Sequence, residues 1–505
     1  MFEGQPKGLY ALALANTGER FGYYTMLAVF VMFLQANFGF DSGFASTIYS
    51  GFLGFVYFMP LIGGIAADKL GYGKMVTIGI SIMFLGYLLL ALPLGKDLIA
   101  LCAMYGALVL ISLGTGLFKG NLQVMVGNLY NDPKYADKRD SGFSVFYMAI
   151  NIGAMFAPTA AIKLMEWSQN TLGVSEADSY HYAFAVACAS LIVSILIYFL
   201  TQSWFRHADR RNVPTASAAD TTNTLSPAQT KERIVCLCLV FAVVIFFWMA
   251  FHQNGSTLTF FARDYTATTS SGVQSMAFDV WNLVLGIFIV YGLFGLFQSK
   301  TGKGKGVSFA VIAAAIAVLV FQYTNLPESI DVKAPIFQQF NACFVVALTP
   351  VSIAIFGALA KKGKEPSSPM KIGLGMLVAA AAYVLLTVGS IGLPAPAYDA
   401  ANQPIHMADV SANWLISTYL VLTFAELLLS PIGISFVTKV APPQYAGLMM
   451  GGWFVACAIG NFLVAIPGLM WGAELTTVWG VLIAICVVSA LFVFSILKKL
   501  EAVSK

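Results

Sequence analysis

The stretch LIALCAMYGALVLISLGTGLFKGNLQVMVG (residues 98–127) decides the fold, because it is almost entirely apolar and carries a single charge, Lys119. A helix of about 20 apolar residues crosses the hydrocarbon core of a bilayer. A charge in such a helix costs at least ~2.5 kcal/mol on insertion scales, so it needs a partner or a watery cavity. This segment therefore predicts a membrane-spanning helix that faces a polar chamber.

The rest of the chain has the same character. Of its 505 residues, 58% are hydrophobic and only 10% are charged, whereas soluble domains carry about 25% charged residues. The net charge of +4 is not clustered, so we expect no nucleic-acid binding. Hydropathy predicts fourteen spans. They are residues 9–36, 44–67, 75–95, 98–127, 141–164, 181–203, 233–262, 279–297, 306–325, 336–360, 371–393, 412–438, 446–470 and 476–497.

The distribution of Lys and Arg predicts the orientation. An even number of spans puts both termini on one side, and a cytoplasmic N-terminus places most of the 28 basic residues in cytoplasmic segments, as the positive-inside rule requires. The opposite loops hold Lys96, Lys163, Arg263 and Lys333. The start, MFEGQPKG, does not resemble a cleavable signal peptide. The longest polar connection, residues 204–231, predicts a cytoplasmic linker with six spans before it and eight after it.

Five readily ionisable residues lie well inside predicted spans: Glu19, Arg20, Lys119, His252 and Glu426. They come from both halves of the chain, which favours a shared polar cavity over separate structural ion pairs. A buried carboxylate whose cationic partner comes and goes with helix movement acts as a proton switch. Glu19 beside Arg20, with Lys119 in reach, fits this description. His252 is interpreted either as a titrating group or as a hydrogen-bonded packing residue.

Aromatic and amide residues cluster in the same segments, and phenols and amides can satisfy a polar solute while their apolar parts pack. Together with the buried charges they predict a binding cavity. These candidates are Tyr23, Tyr24, Tyr57, Tyr147, Asn151, Trp248, Gln253, Asn341, Ser430 and Trp453.

A membrane-embedded enzyme is disfavoured, because the four His residues form no pair with metal-ligand spacing. The seven Cys lie almost all in apolar runs, and their spacing matches neither a zinc site nor a disulfide framework. We therefore expect no metal, no cofactor and no catalysis. A receptor-like sensor without transport is the other alternative.

Several motifs resemble known transporter signatures. GGIAADKLGYGK (63–74) resembles the loop signature of the major facilitator superfamily. Six further motifs resemble, in order, those of the proton-dependent oligopeptide transporter (POT) family. They are GERFGYY (18–24), GTGLFKGN (114–121), FYMAINIGA (146–154), FFWMAFHQNGSTL (246–258), ELLLSPIGIS (426–435) and MMGGWFVACAIGN (449–461).

The resemblance implies an all-α membrane protein with the major facilitator fold, in which two six-helix bundles rock about a central site. It also implies a multi-pass protein of the bacterial inner membrane that works as a monomer. The implied divisions are an N-terminal bundle (1–203), a cytoplasmic linker (204–232), the first helix of the C-terminal bundle (233–278), an inserted helical hairpin (279–325) and the remaining C-terminal bundle (326–505). The hairpin follows the seventh core span, whereas bacterial members place theirs after the sixth.

The resemblance also implies roles. Glu19 and Arg20 belong to the proton-coupling motif, and Lys119 pairs with that region or holds the peptide carboxylate. The peptide amino end is received by Asn151, Asn341 and Glu426. Tyr23, Tyr24 and Tyr57 line the site, and Trp248 and Trp453 form the walls of its pockets.

Three positions depart from the family pattern. Asn16 stands where the first Glu of the Glu-x-x-Glu-Arg motif is usual, Leu27 replaces an Arg, and His252 replaces a frequent acidic residue. The last two changes remove both partners of an outer ion pair, which leaves no unpaired charge behind.

The expected function is proton-coupled symport of di- or tripeptides by alternating access. The alternative is transport of another small polar solute, such as an amino-acid derivative or an organic anion, since plant relatives carry nitrate and other non-peptides.

Overall fold

The computed structural model of the chain describes residues 4–209, 225–400 and 402–504. Most of the predicted linker, residues 210–224, lies outside this part. Within the described residues, fourteen helices are long and apolar enough to cross a membrane, as the sequence predicted. The helices are α1 (Lys7–Phe38), α2 (Ser42–Leu70), α3 (Tyr72–Ala91), α4 (Leu98–Asn128), α5 (Arg139–Leu172), α6 (Glu176–Leu200), α7 (Pro227–Phe251), α8 (Thr257–Tyr265), α9 (Gly272–Met276), α10 (Val280–Gln298), α11 (Gly302–Thr324), α12 (Gln339–Lys361), α13 (Ser368–Gly389), α14 (Asn413–Val440), α15 (Ala446–Leu463), α16 (Ala465–Leu469), α17 (Leu475–Ser495) and α18 (Leu497–Ser504).

Turn and cap residues set the helix ends. Asp41 and Asp97 accept hydrogen bonds from the third residue beyond them, at 2.9 and 3.0 Å, and so cap α2 and α4. Ser226 forms a reciprocal capping box with Gln229 at the start of α7. Gly39 ends α1 in the left-handed conformation, at φ 68°, which costs glycine little. Short polar connections thus separate long apolar helices.

The helices form two bundles. In the first, α1 packs on α5 and α6, and α3 packs on α4 and α6. In the second, α13 packs on α14 and α17, and α7 packs on α15. The bundles meet where α2 lies against α15 and α16, and where α5 lies against α12. This is the major facilitator fold with an added helical pair.

Two core spans of the second bundle are interrupted. A 3-10 turn, His252–Gly255, separates α7 from α8, and α15 is followed by the short helix α16. The sequence predicted each of these spans as one continuous helix. The first interruption places His252 at a bend where backbone groups leave the helical hydrogen-bond pattern.

The added pair, α10 and α11, lies at the periphery. Only Ala315 of α11 is buried, so almost the whole surface of this helix is left for lipid. Strand β1 (Thr269–Ser270) precedes the pair, and strand β2 (Ile330–Asp331) follows it. They form an antiparallel ladder, Thr269 opposite Asp331. The ladder closes the insertion at its base.

Candidate functional site

Glu19 and Arg20 form a buried ion pair on α1. The Arg20 Nε and Nη2 atoms donate to the two Glu19 carboxylate oxygens, each at 2.5 Å, and both side chains are almost completely buried. The guanidinium carbon lies 4.4 Å from the centre of the Tyr23 ring, a cation–π distance. Opposite charges in contact make the pair tolerable inside a membrane.

Lys119 on α4 is half-buried, and its Nζ atom lies 4.7 Å from the centre of the Tyr57 ring on α2. The ammonium interacts electrostatically with Arg20 and Glu19. In the described part of the chain no carboxylate lies within salt-bridge distance of it. The predicted partner, Glu19, is instead occupied by Arg20. Lys119 therefore presents a positive charge that no direct ion pair neutralises.

The second bundle contributes a carboxylate and an amide. Asn341 on α12 donates to the Glu426 carboxylate on α14 at 3.1 Å and to the Thr423 hydroxyl at 3.0 Å. Glu426 is 9% exposed, and no cation among the described residues pairs with it. Ser430 lies one turn further along α14 and is half-buried. An unpaired carboxylate beside an amide oxygen suits a cationic amino group.

Two tyrosines lie near charges of the two bundles. Tyr24 is close to Arg20, Glu426 and Glu19, and Tyr147 is close to Glu426 and Tyr24. Tyr147 is 46% exposed although it lies between the bundles, which indicates an open chamber there. Asn151, one turn along α5, donates to the Tyr147 carbonyl at 3.0 Å.

His252 lies in an aromatic stack on the other wall of this chamber. Its ring is stacked on Trp248, with centroids 4.9 Å apart, and lies 5.8 Å from Tyr57. Its Nδ1 atom lies 2.5 Å from the Asn461 side-chain oxygen on α15. Tyr57 thus stands between Lys119 and His252, and joins a cation of the first bundle to the stack of the second.

Three predicted site residues belong to the packing around the chamber. Gln253 is fully buried, and its amide bonds to Met249, Val464 and Thr257. These bonds place the Gln253 side chain in the packing of the second bundle, and its binding role stays a prediction. Trp453 and Tyr23 are 2% and 3% exposed, which leaves them behind the chamber surface.

Two of the residues that depart from the family pattern, Asn16 and Leu27, are uncharged and buried. Asn16 is 2% exposed and Leu27 is 6% exposed. The side chain of Asp68, in the major facilitator signature, lies outside the described part. No group of His, Cys, Asp or Glu among the described residues could hold a metal ion.

One end of the molecule is closed by contacts between the bundles. We call it the outer end, where α1 ends and α2 begins. Ser46 and Ser256 hydroxyls are 2.7 Å apart there, Thr159 donates to Gln339 at 3.0 Å, and Gln338 donates to the Ala28 carbonyl at 3.2 Å. At the opposite, inner end, α4 and α5 make at most marginal contact with α14 within the described residues. The chamber therefore faces the inner end.

The outer end also holds a polar cluster that the sequence reasoning missed. Arg263 pairs with Asp264 at 2.6 Å and donates to Gln35 of the first bundle. Asp264 also accepts from the Trp471 indole at 3.2 Å. The adjacent charges at the end of the seventh span were the available signal, but Arg263 was assigned to a loop. We call Gln35, Arg263, Asp264 and Trp471 the outer latch.

The protein has two helical bundles around a central chamber, and each bundle contributes buried charges to that chamber. This arrangement defines a membrane transporter of the major facilitator type. The family model described as "POT family" matches residues 73–226 and 305–468, more than half of the chain. The chain belongs to the POT family.

Similar proteins span nearly the whole chain. The uncharacterized transporter YclF of Bacillus subtilis is 29% identical over 480 residues, which cover 90% of this chain and 86% of YclF. The peptide transporter YePEPT of Yersinia enterocolitica is also 29% identical, over 92% of this chain and 88% of its own. A di-/tripeptide transporter of Lactococcus lactis is 27% identical over 90% and 87%.

Solved structures share the fold. A crystal structure of the peptide transporter POT with sulfate superimposes with a TM-score of 0.74, covering 100% of this chain and 96% of that one, at 22% identity. A POT family transporter in complex with 5-aminolevulinic acid gives a TM-score of 0.72 at 20% identity, with coverage of 99% and 98%.

Proposed function

We propose that the protein is a proton-coupled symporter that imports di- or tripeptides by alternating access. The observation that carries this proposal is the arrangement of unpaired opposite charges across one chamber: Lys119 in the first bundle, and Glu426 with Asn341 in the second. A zwitterionic peptide needs a cation at its carboxylate end and an anion with amide oxygens at its amino end. Relatives that are named as peptide transporters support this assignment.

The peptide's carboxylate binds Lys119, and its amino group binds Glu426 and Asn341. Tyr24, Tyr57 and Tyr147 line the chamber between them, with Asn151 and Ser430 at its edge. The ends of the peptide provide most of the grip, so side chains of different size are tolerated.

Proton coupling is assigned to the Glu19–Arg20 pair. In the structure the Glu19 side chain holds the Arg20 guanidinium. A proton on Glu19 removes the negative charge, releases the guanidinium and changes which bundle arrangement is stable. Without the negative charge of Glu19, Arg20 repels the Lys119 ammonium more strongly. A carboxylate bound at Lys119 offsets this repulsion, which links proton binding to carboxylate binding.

We further propose that the protein lies in the bacterial inner membrane with both termini cytoplasmic and that it works as a monomer. The inner end carries the N-terminal segment, since the Gly4 carbonyl accepts from Lys138 at 3.3 Å. It also carries the C-terminal helix, since Glu501 accepts from Ser367 at 2.5 Å. The basic connections lie at this end, which the positive-inside rule assigns to the cytoplasm. The chamber then faces the cytoplasm.

The experiment is uptake by the purified protein in liposomes with an imposed inward proton gradient. We expect accumulation of labelled di- and tripeptides that collapses with a protonophore. Absence of both accumulation and competition by any di- or tripeptide would refute the peptide assignment.

A second candidate is an amino-acid derivative as solute. At positions 27 and 252 this chain has Leu27 and His252, where the family usually has charged residues, so fewer charges are available to bind a solute. A structure of another POT family transporter contains 5-aminolevulinic acid. Competition by peptides, amino acids, 5-aminolevulinic acid and nitrate in the same flux assay separates the two candidates.

A further inference from the structure

The contact between His252 and Asn461 lies where the backbones of α7 and α15 approach each other closely. Gly460 on α15 lies so close to α7 that an added Cβ would be 2.4 Å from the Ile245 carbonyl oxygen. No larger residue fits there without moving a helix. Asn461, the next residue, is therefore fixed against the bend where α7 ends and His252 begins its 3-10 turn.

This contact fixes which imidazole nitrogen carries the hydrogen. The Asn461 oxygen lies 2.5 Å from Nδ1, and an amide oxygen can only accept, so Nδ1 is the donor. A neutral imidazole with hydrogen on Nδ1 has a bare lone pair on Nε2. Asn461 itself is fully buried, so water does not compete for its oxygen.

The His252 ring is partly open beside the chamber. Trp248 covers one face of the ring and Phe251 contacts its edge, yet His252 remains half-buried rather than buried. Among the described residues, no hydrogen bond to Nε2 is formed. Tyr57 lies between His252 and Lys119, so this acceptor is on the side of the chamber where the solute's carboxylate binds.

We propose that His252 presents Nε2 as a neutral acceptor for the peptide-bond N–H next to the solute's carboxylate, with Asn461 as the residue that holds the tautomer. The inference rests on the proposed function. In a dipeptide the amide N–H and the carboxylate are on the same residue, so a group near Lys119 reaches both. His252 then accepts from the amide N–H without attracting a cation, whereas an acidic residue at this position would accept from the same N–H and also attract positive charge.

The first test compares two solutes that differ in this N–H alone. Alanyl-alanine and its ester analogue alanyl-lactate are measured by counterflow, which needs no proton gradient. One neutral hydrogen bond predicts that the wild type prefers the amide by about two- to tenfold. His252→Asn keeps a donor near Nδ1 but loses the distal acceptor, so the ratio should fall to about one. His252→Gln supplies a distal oxygen and should restore it.

His207→Asn, in an exposed turn, is the matched control and should keep the wild-type preference. An unchanged amide-to-ester ratio in His252→Asn overturns the inference while the transport assignment stands. A wild type that shows no counterflow of alanyl-alanine overturns this inference, and one that shows no counterflow of any di- or tripeptide overturns the proposed function as well.

The second test reads the tautomer directly by ¹⁵N NMR of histidine-labelled protein, with the His252→Gln variant to assign the signal. We expect hydrogen on Nδ1 in the wild type and in Asn461→Asp, whose carboxylate also accepts. Asn461→Leu should give mixed tautomers and lose the amide preference, which a purely structural defect would not do selectively. Hydrogen on Nε2 in the wild type overturns the proposal.

Discussion

At the residue scale, function depends on a few charges that a membrane would otherwise exclude. Glu19 is neutralised by Arg20, whereas Lys119 and Glu426 have no ion-pair partner in the described part of the chain. A charge kept unpaired at this cost is retained for a ligand or a proton. Two predictions follow from this difference.

Glu19→Gln should abolish gradient-driven uptake and spare counterflow, because glutamine can bind Arg20 but cannot gain or lose a proton. Accumulation in liposomes should fall to the level seen without a gradient. Survival of gradient-driven accumulation in this variant would show that Glu19 is not the coupling site. Glu166→Gln, near the end of α5, where the half-buried Glu166 pairs with Lys163 at 3.5 Å, is the matched control.

Glu426→Gln should weaken peptide binding about 10- to 100-fold, since a hydrogen bond to a charged group contributes about 1.5–3 kcal/mol. N-acetylated peptides, which lack the ammonium, should lose little further affinity in the variant. Competition binding with free and acetylated forms of one peptide measures this. A large additional loss for the acetylated form would contradict the assignment of Glu426.

The buried charges could be found from sequence because hydropathy makes them stand out in apolar spans. Amides do not stand out in this way. Gln253 was predicted to bind solute, and its amide bonds within the second bundle, while Asn461 was overlooked although it contacts His252. The same side chain serves either role, and only long-range packing decides which.

At the scale of elements, the bend between α7 and α8 sets the position of α8, which carries two residues of the outer latch. Arg263 on α8 reaches Gln35 on α1, and Gln35 also donates to Ser42 at 3.0 Å. This contact joins the two bundles and must break when the outer end opens. It stands about two turns further out than Leu27, where the family usually has an arginine.

Gln35→Leu should favour opening of the outer end about 10- to 100-fold, because Arg263 loses its acceptor across the bundle interface. The readout is the labelling rate of a cysteine introduced at Ser46, which is fully buried, by a maleimide that does not cross membranes. Gln403→Leu in the outer connection is the control. Equal rates in wild type and Gln35→Leu would show that the latch does not hold this end closed.

The latch is braced by His406, which lies outside the membrane spans. Partial burial opposes its charged form, but bonds to the Arg263 carbonyl at 2.8 Å and to Asp409 at 3.0 Å, with Asp264 nearby, raise its pKa. A raised pKa in the folded protein means that the stabilisation is complete at low pH and is lost as pH rises through that pKa.

Labelling at Ser46 should therefore accelerate when the external pH is raised from about 6 to about 8, across the usual range of histidine. His406→Gln should remove most of this pH dependence without closing the outer end further. A pH response of the same size in that variant would place the sensor elsewhere.

At the scale of the whole molecule, the closed outer end and the open inner end define one of the two states of alternating access. The spans were predictable because the bilayer imposes length and apolarity on every helix. The closed end, the bends and the β1–β2 ladder were not, since they depend on contacts between residues far apart in the chain, such as Ser46 and Ser256.

A disulfide between cysteines at positions 46 and 256 should lock the outer end, because the serine hydroxyls there are 2.7 Å apart. In the Ser46→Cys, Ser256→Cys double variant, oxidation should abolish uptake, and a reductant should restore it. Each single variant under the same oxidant is the control. Uptake that continues in fully cross-linked protein would contradict alternating access through this interface.

The peripheral pair of helices has a mechanical consequence. Val280 and Ile287 of α10 share a small apolar cluster with Met155 of α5 and Val346 of α12, so the pair rests on both bundles while most of α11 faces lipid. Apolar packing resists separation but allows sliding. We therefore expect bilayer thickness and lateral tension to act, through this pair, on the contact between the bundles, so that membrane composition changes the rate at which the bundles move.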